Sequence, residues 1–136
     1  FNFDQALFEL RKDASKFEEG SPNYMGIYGM GATVEMLHRA GLEQIESHIQ
    51  GLLNYTEEQL LALGCKVSPP PAHRAGILMI EPANGNPKDL YDHLTAQTIR
   101  VSLRRGRIRI SPHIYNSRQD MEKLVSEIRN YLKTLA

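Results

Sequence analysis

Five of the ten arginines in this 136-residue chain fall between residues 100 and 109, in "RVSLRRGRIR". Arg107 and Arg109 alternate with Ile108 and Ile110, and Arg100, Ser102 and Arg104 alternate with Ile99, Val101 and Leu103. Alternate residues of a strand lie on opposite faces, so the arginines share a face that the aliphatic residues avoid. Three readings fit the pattern. The arginines can be the solvated face of a hairpin. They can be a basic surface for nucleic acid or an acidic protein. Or one of them can hold a carboxylate or phosphate, which a planar guanidinium meets with two parallel hydrogen bonds. The polar corner "SPHIYNS" at 111–117 follows at once and adds His113, Tyr115 and Asn116 to the strand end.

Composition weighs on these alternatives. Lysine plus arginine and aspartate plus glutamate number 16 each, so the formal net charge is zero. That disfavours a surface devoted to nucleic acid or anionic membrane. The basic strands also lack the interleaved aromatics that stack on bases. No apolar run approaches the ~18 residues of a membrane span. Cys65 stands alone, so no disulfide framework or cysteine metal site is expected, and a half-buried place at a strand start suits it. The histidines at 38, 48, 73, 93 and 113 have no metal-ligand spacing. A reducing cytoplasm is the default compartment. Two further stretches carry weaker signals. "GIYGMG" at 26–31 is glycine-rich without a dinucleotide-binding pattern. "EEGSPN" at 18–23 can offer a hydroxyl and backbone N–H groups to a phosphate at a helix start.

The elements that must position these residues follow from periodicity. Apolar residues at helical spacing predict a first helix over about 4–18, broken by Gly20 and Pro22. A second runs from about Tyr24 to Ala40 and ends at Gly41; a third covers about 42–63 and ends at Gly64. "CKVSPPP" predicts a short strand with a proline stop, and "AGILMIEP" at 75–82 a central strand. Pro87 suits the first turn of a short helix. Two strands flank a turn at Gly106. "SRQD" at 117–120 is a capping-box-like start of a last helix, whose stripe is Met121, Leu124, Val125, Ile128, Leu132 and Leu135. The expected fold is α+β in two layers: a small, mainly antiparallel sheet with helices packed on one face. It is read as one domain over 1–136, with a helical part about 4–64 and a sheet-plus-helix part about 65–136.

"FEEGSPNYMGIYGMGATVEML" at 17–37 and "RIRISPHIYNSRQDMEKLV" at 107–125 together resemble the class V aminotransferase family. Its members are pyridoxal-phosphate enzymes of fold type I, among them cysteine desulfurases, selenocysteine lyase and isopenicillin N epimerase. The resemblance covers nearly the whole chain, in order, and is to the C-terminal small domain of that family. It implies that Arg109 grips the substrate α-carboxylate and that His113 faces the active site. It implies that Gly20 and Ser21, in a turn where the family usually has threonine, reach the pyridoxal 5'-phosphate of a neighbouring subunit in a homodimer. Tyr115 and Asn116 are expected to fix the strand-to-helix corner. The resemblance implies that the Schiff-base lysine and the ring-binding residues lie in a large domain that precedes this segment, and none of the six lysines here sits in a matching motif. No catalytic residue is therefore expected within 1–136, and the segment alone is expected to be inactive. The family's desulfurases carry a catalytic cysteine on a loop between the last two strands. Here "RRG" joins those strands, which favours an aminotransferase, epimerase or lyase acting on an amino acid without a thiol nucleophile. A non-enzymatic basic-hairpin module is the alternative.

Overall fold

The computed structural model describes residues 11–18 and 20–135. Two compact units divide the chain, Phe1–Arg39 and Ala40–Ala136.

In the first unit a 3-10 turn spans Ala14–Phe17, where the Asp13 carboxylate accepts hydrogen bonds from the Ser15 backbone N–H and hydroxyl. The expected first helix is therefore not present over its described part. An aspartate side chain that satisfies nearby backbone donors competes with helix propagation. The remainder, at 4–10, lies outside the described residues. Helix α1 runs Tyr24–Ala40 as expected. Asn23 opens it, its side-chain oxygen accepting from the Gly26 N–H at 3.0 Å. None of its residues is buried.

The second unit holds helices α2 (Leu42–Ala62), α3 (Pro87–Ala96) and α4 (Arg118–Lys133). Its strands are β1 (Lys66–Ser68), β2 (Leu78–Glu81), β3 (Ser102–Arg104) and β4 (Arg107–Ile110). They form one antiparallel sheet in the order β1-β2-β4-β3. The α+β expectation holds. Leu78, Ile80, Ile108 and Ile110 project from one face of the sheet into a core completed by Leu53 and Leu60 of α2, Leu90 and Leu94 of α3, and Leu124, Val125 and Ile128 of α4. Register puts two cross-strand rows on the other face: Lys66, Glu81, Arg107 and Arg104, and beside it Ser68, Met79, Arg109 and Ser102.

Three differences from expectation have local causes. Strand β3 starts only at Ser102, because the chain leaving α3 turns through Thr98 at φ +61° and the Ile99 N–H caps the Leu94 carbonyl. Ile99 and Val101 still pack on the core from outside the strand. On α4 Tyr131 is buried, while Leu135, past the end of the helix, is 45% exposed, the reverse of a purely aliphatic stripe. The Tyr131 hydroxyl donates to the Asn86 carbonyl at 3.3 Å, which satisfies the polar end of an otherwise apolar ring. Cys65 is buried rather than half-buried.

That Tyr131 contact depends on the turn before α3. Gly85 sits at φ +84°, and a Cβ there would lie 2.5 Å from Leu135 Cδ1 and 2.6 Å from the Tyr131 hydroxyl. Gly85→Ala is expected to cost about 1–2 kcal/mol from the backbone conformation alone, with the contact adding to it. Urea unfolding of the two proteins checks this through a lower midpoint at unchanged slope.

Candidate functional site

The site is built around the end of β4. Arg109 is held on both sides, by Met79 of β2 and Ser102 of β3 in the ladder. It is half-buried, and its Nε is buried with no hydrogen-bond partner. No carboxylate among the described residues pairs with it. Arg107, two residues earlier on the same face, is different: its Nε lies 2.7 Å from a Glu81 carboxylate oxygen. Glu81 also faces Lys66 at 3.8 Å. The two arginines that period two makes equivalent are thus unequal. Arg107 is exposed and paired within the sheet. Arg109 keeps unspent donors. A buried guanidinium nitrogen without an acceptor is costly unless an anion completes it.

Beyond Ile110 the chain turns through Ser111–Ser117 into α4. Asn116 closes that corner. Its side-chain oxygen accepts from the His113 N–H at 2.9 Å, and its own N–H donates to the His113 carbonyl at 3.0 Å. Its carbonyl lies 2.9 Å from His48 Nε2 of α2, so that nitrogen must donate. His113 is exposed and stacks on Tyr115, with ring centroids 4.9 Å apart. Asn116 therefore does fix the corner. Tyr115, at 80% exposure, does not anchor it in the core. Arg109 and His113 share this strand end.

The same corner starts α4. Ser117 and Asp120 form a reciprocal capping box. The Ser117 N–H and hydroxyl, helped by Asn116, hold the Asp120 carboxyl below the usual carboxylate range. A folded-state value lower than the unfolded one gives stability that is complete above the unfolded value and is lost as pH falls through the folded one. Asp120→Asn is therefore expected to lower the melting temperature at neutral pH, and the gap from the parent protein should close in strong acid. Thermal unfolding across pH 2–7 is the check.

Gly20 and Ser21 lie in the other unit. Gly20 takes φ +65° with open space where a Cβ would be, and Ser21 is exposed. The Pro22 carbonyl accepts from the Tyr24 N–H at 2.8 Å, so the turn leads directly into α1.

Two residues that local patterning did not single out are conspicuous in the structure. One is His48. The other is Arg74, whose side chain is fully buried and pairs with Glu57 at 2.7 Å and with the Asn54 side-chain oxygen. The partners sit 17 and 20 positions earlier in the chain, on α2. Among the described residues no group of His, Cys, Asp and Glu could hold a metal ion, and no helix is long and apolar enough to cross a membrane. Burial pushes the Cys65 thiol up. The β3–β4 connection is two residues, Arg105 at φ +50° and Gly106 at φ +73°, with Arg104 facing Arg107. Two positive φ values make this the tight hairpin turn whose twist matches its strands.

Residues 3–124 match the sequence model described as Aminotransferase class-V. The chain belongs to that family. A cysteine desulfurase from Yersinia pseudotuberculosis serotype O:1b (strain IP 31758) is 29% identical over 135 residues, covering 88% of this chain and 33% of that protein. One from Yersinia pestis (strain Pestoides F) is 28% identical over the same shares. Among solved structures, the apo cysteine desulfurase of Thermococcus onnurineus NA1 superposes with a TM-score of 0.84 at 25% identity, over 93% of this chain and 36% of that one. A cysteine desulfurase of Escherichia coli gives 0.77 at 22% identity, over 86% and 32%, and shares the fold. This class-V aminotransferase chain thus spans about a third of the length of the curated relatives it matches.

Proposed function

We propose that this chain is the C-terminal small domain of a pyridoxal-phosphate-dependent enzyme acting on an amino acid, and that Arg109 holds the substrate carboxylate. The observation that carries the reading is that Arg109, on a strand fixed by neighbours on both sides, has no carboxylate partner among the described residues, whereas Arg107 and the buried Arg74 are each paired. A charge-assisted, two-point contact of this kind contributes about 1.5–3 kcal/mol. The ladder fixes the backbone from which the guanidinium reaches, so the strand itself need not be ordered when substrate arrives. His113, presented by the Asn116 clasp, borders the same strand end as a second substrate contact.

The described residues fit the edge of a cofactor site. Ser21 offers a hydroxyl and the left-handed Gly20 a bare backbone, suited to a phosphate held across a homodimer. When bound, pyridoxal phosphate supplies the electron sink for bond breaking at the substrate Cα. All six lysines are exposed. A Schiff-base lysine works desolvated, which supports its assignment to a large domain outside this segment and an inactive isolated domain. The relatives bear the name cysteine desulfurase. Against a thiol mechanism for this chain stand the two-residue β3–β4 turn and the buried Cys65. An aminotransferase, lyase or epimerase reaction is the better fit. The test is amino-acid turnover by the full-length protein with Arg109 intact and replaced.

A further inference from the structure

Arg109 does not face the site alone. Ser102 of β3 is its direct partner in the antiparallel register, so the two side chains share a face. Directly opposed residues hold their Cβ atoms about 4.5–5.5 Å apart. Ser102 is half-buried, and its hydroxyl has no hydrogen-bond partner among the described residues. Two adjacent donors with no internal acceptor, one charged and one neutral, are a complement to one anion. Across the ladder on the other side lies Met79, which offers no donor. A carboxylate has about four lone-pair sites, and a guanidinium fork takes two. We propose that the Ser102 hydroxyl donates to one oxygen of the same substrate carboxylate, a second binding group that sets selectivity for acids over amines. This rests on the assignment of Arg109 to that carboxylate.

The experiment uses the full-length protein with its cofactor bound. Common L-amino acids and the amines left by removing their carboxylates are titrated, read by calorimetry and by the cofactor's visible absorbance. Ser102→Ala is expected to weaken amino-acid binding about tenfold and leave amine binding unchanged. Ser102→Thr keeps the hydroxyl on a strand-favouring residue and should stay within about twofold of the parent. The Ser102→Ala, Arg109→Ala double variant should bind amino acids hardly worse than Arg109→Ala alone, because the pair acts on one group. Equal losses for acid and amine in Ser102→Ala, or no loss, overturn the inference while leaving Arg109 in place. An Arg109→Ala variant that keeps its full preference for acids removes both.

Discussion

Arg109→Ala in the full-length protein is expected to raise the apparent KM for its amino-acid substrate roughly 10- to 100-fold, with the cofactor's visible absorbance retained. The magnitude follows from losing a two-point, charge-assisted contact and nothing else. Arg109 lies on the sheet face opposite the aliphatic core, so the truncation opens no cavity among Leu78, Ile80, Ile108 and Ile110. It breaks no ion pair among the described residues, and so leaves no orphaned carboxylate. Arg107→Ala is the internal control. It strips Glu81 of its 2.7 Å partner while Lys66 remains nearby, and is expected to change KM little. A KM unaffected by Arg109→Ala would take the arginine out of its role.

The second large effect is structural. Arg74→Ala is expected to destabilise the protein by about 3 kcal/mol, at the low end of the cost of breaking a buried pair. For a domain of this size that lowers Tm by roughly 10–20 °C. The Arg74 side chain is fully buried while Glu57 keeps 16% exposure, so the stranded carboxylate recovers some hydration. The loss also frees the Asn54 contact, one of the ties between α2 and the segment that follows the 3-10 turn at Pro71–His73. Because buried ion pairs are expensive to desolvate, replacing both partners should hurt less than replacing one. Arg74→Met with Glu57→Leu is therefore expected to melt above Arg74→Ala. A single variant within about 0.5 kcal/mol of the parent would place Arg74 among ordinary surface substitutions.

How far the sequence spoke for the fold can be read residue by residue. Helix ends were legible because they carry local chemistry: Gly41 and Gly64 at positive φ, Pro87 in the first turn, Ser117 and Asp120 in a capping box. The sheet was legible in its alternation, but not in extent, since Thr98 and Ile99 are spent on leaving α3. Asp13 undid the described part of the first expected helix through hydrogen bonds that no periodicity records. The site divides the same way. Period two put Arg107 and Arg109 on one face and could not rank them. Only the neighbour across the ladder does so, and Glu81 lies beside Arg107 rather than Arg109. Arg74 and His48 were beyond local reading because their partners are distant in the chain and no spacing rule links them.

The most direct test of the central claim is the ratio of dissociation constants for an amino acid and the amine lacking its carboxylate, in parent and Arg109→Ala full-length proteins. If Arg109 grips the carboxylate, the parent prefers the acid and the variant brings the ratio close to one. An acid preference that survives Arg109→Ala undiminished would contradict it.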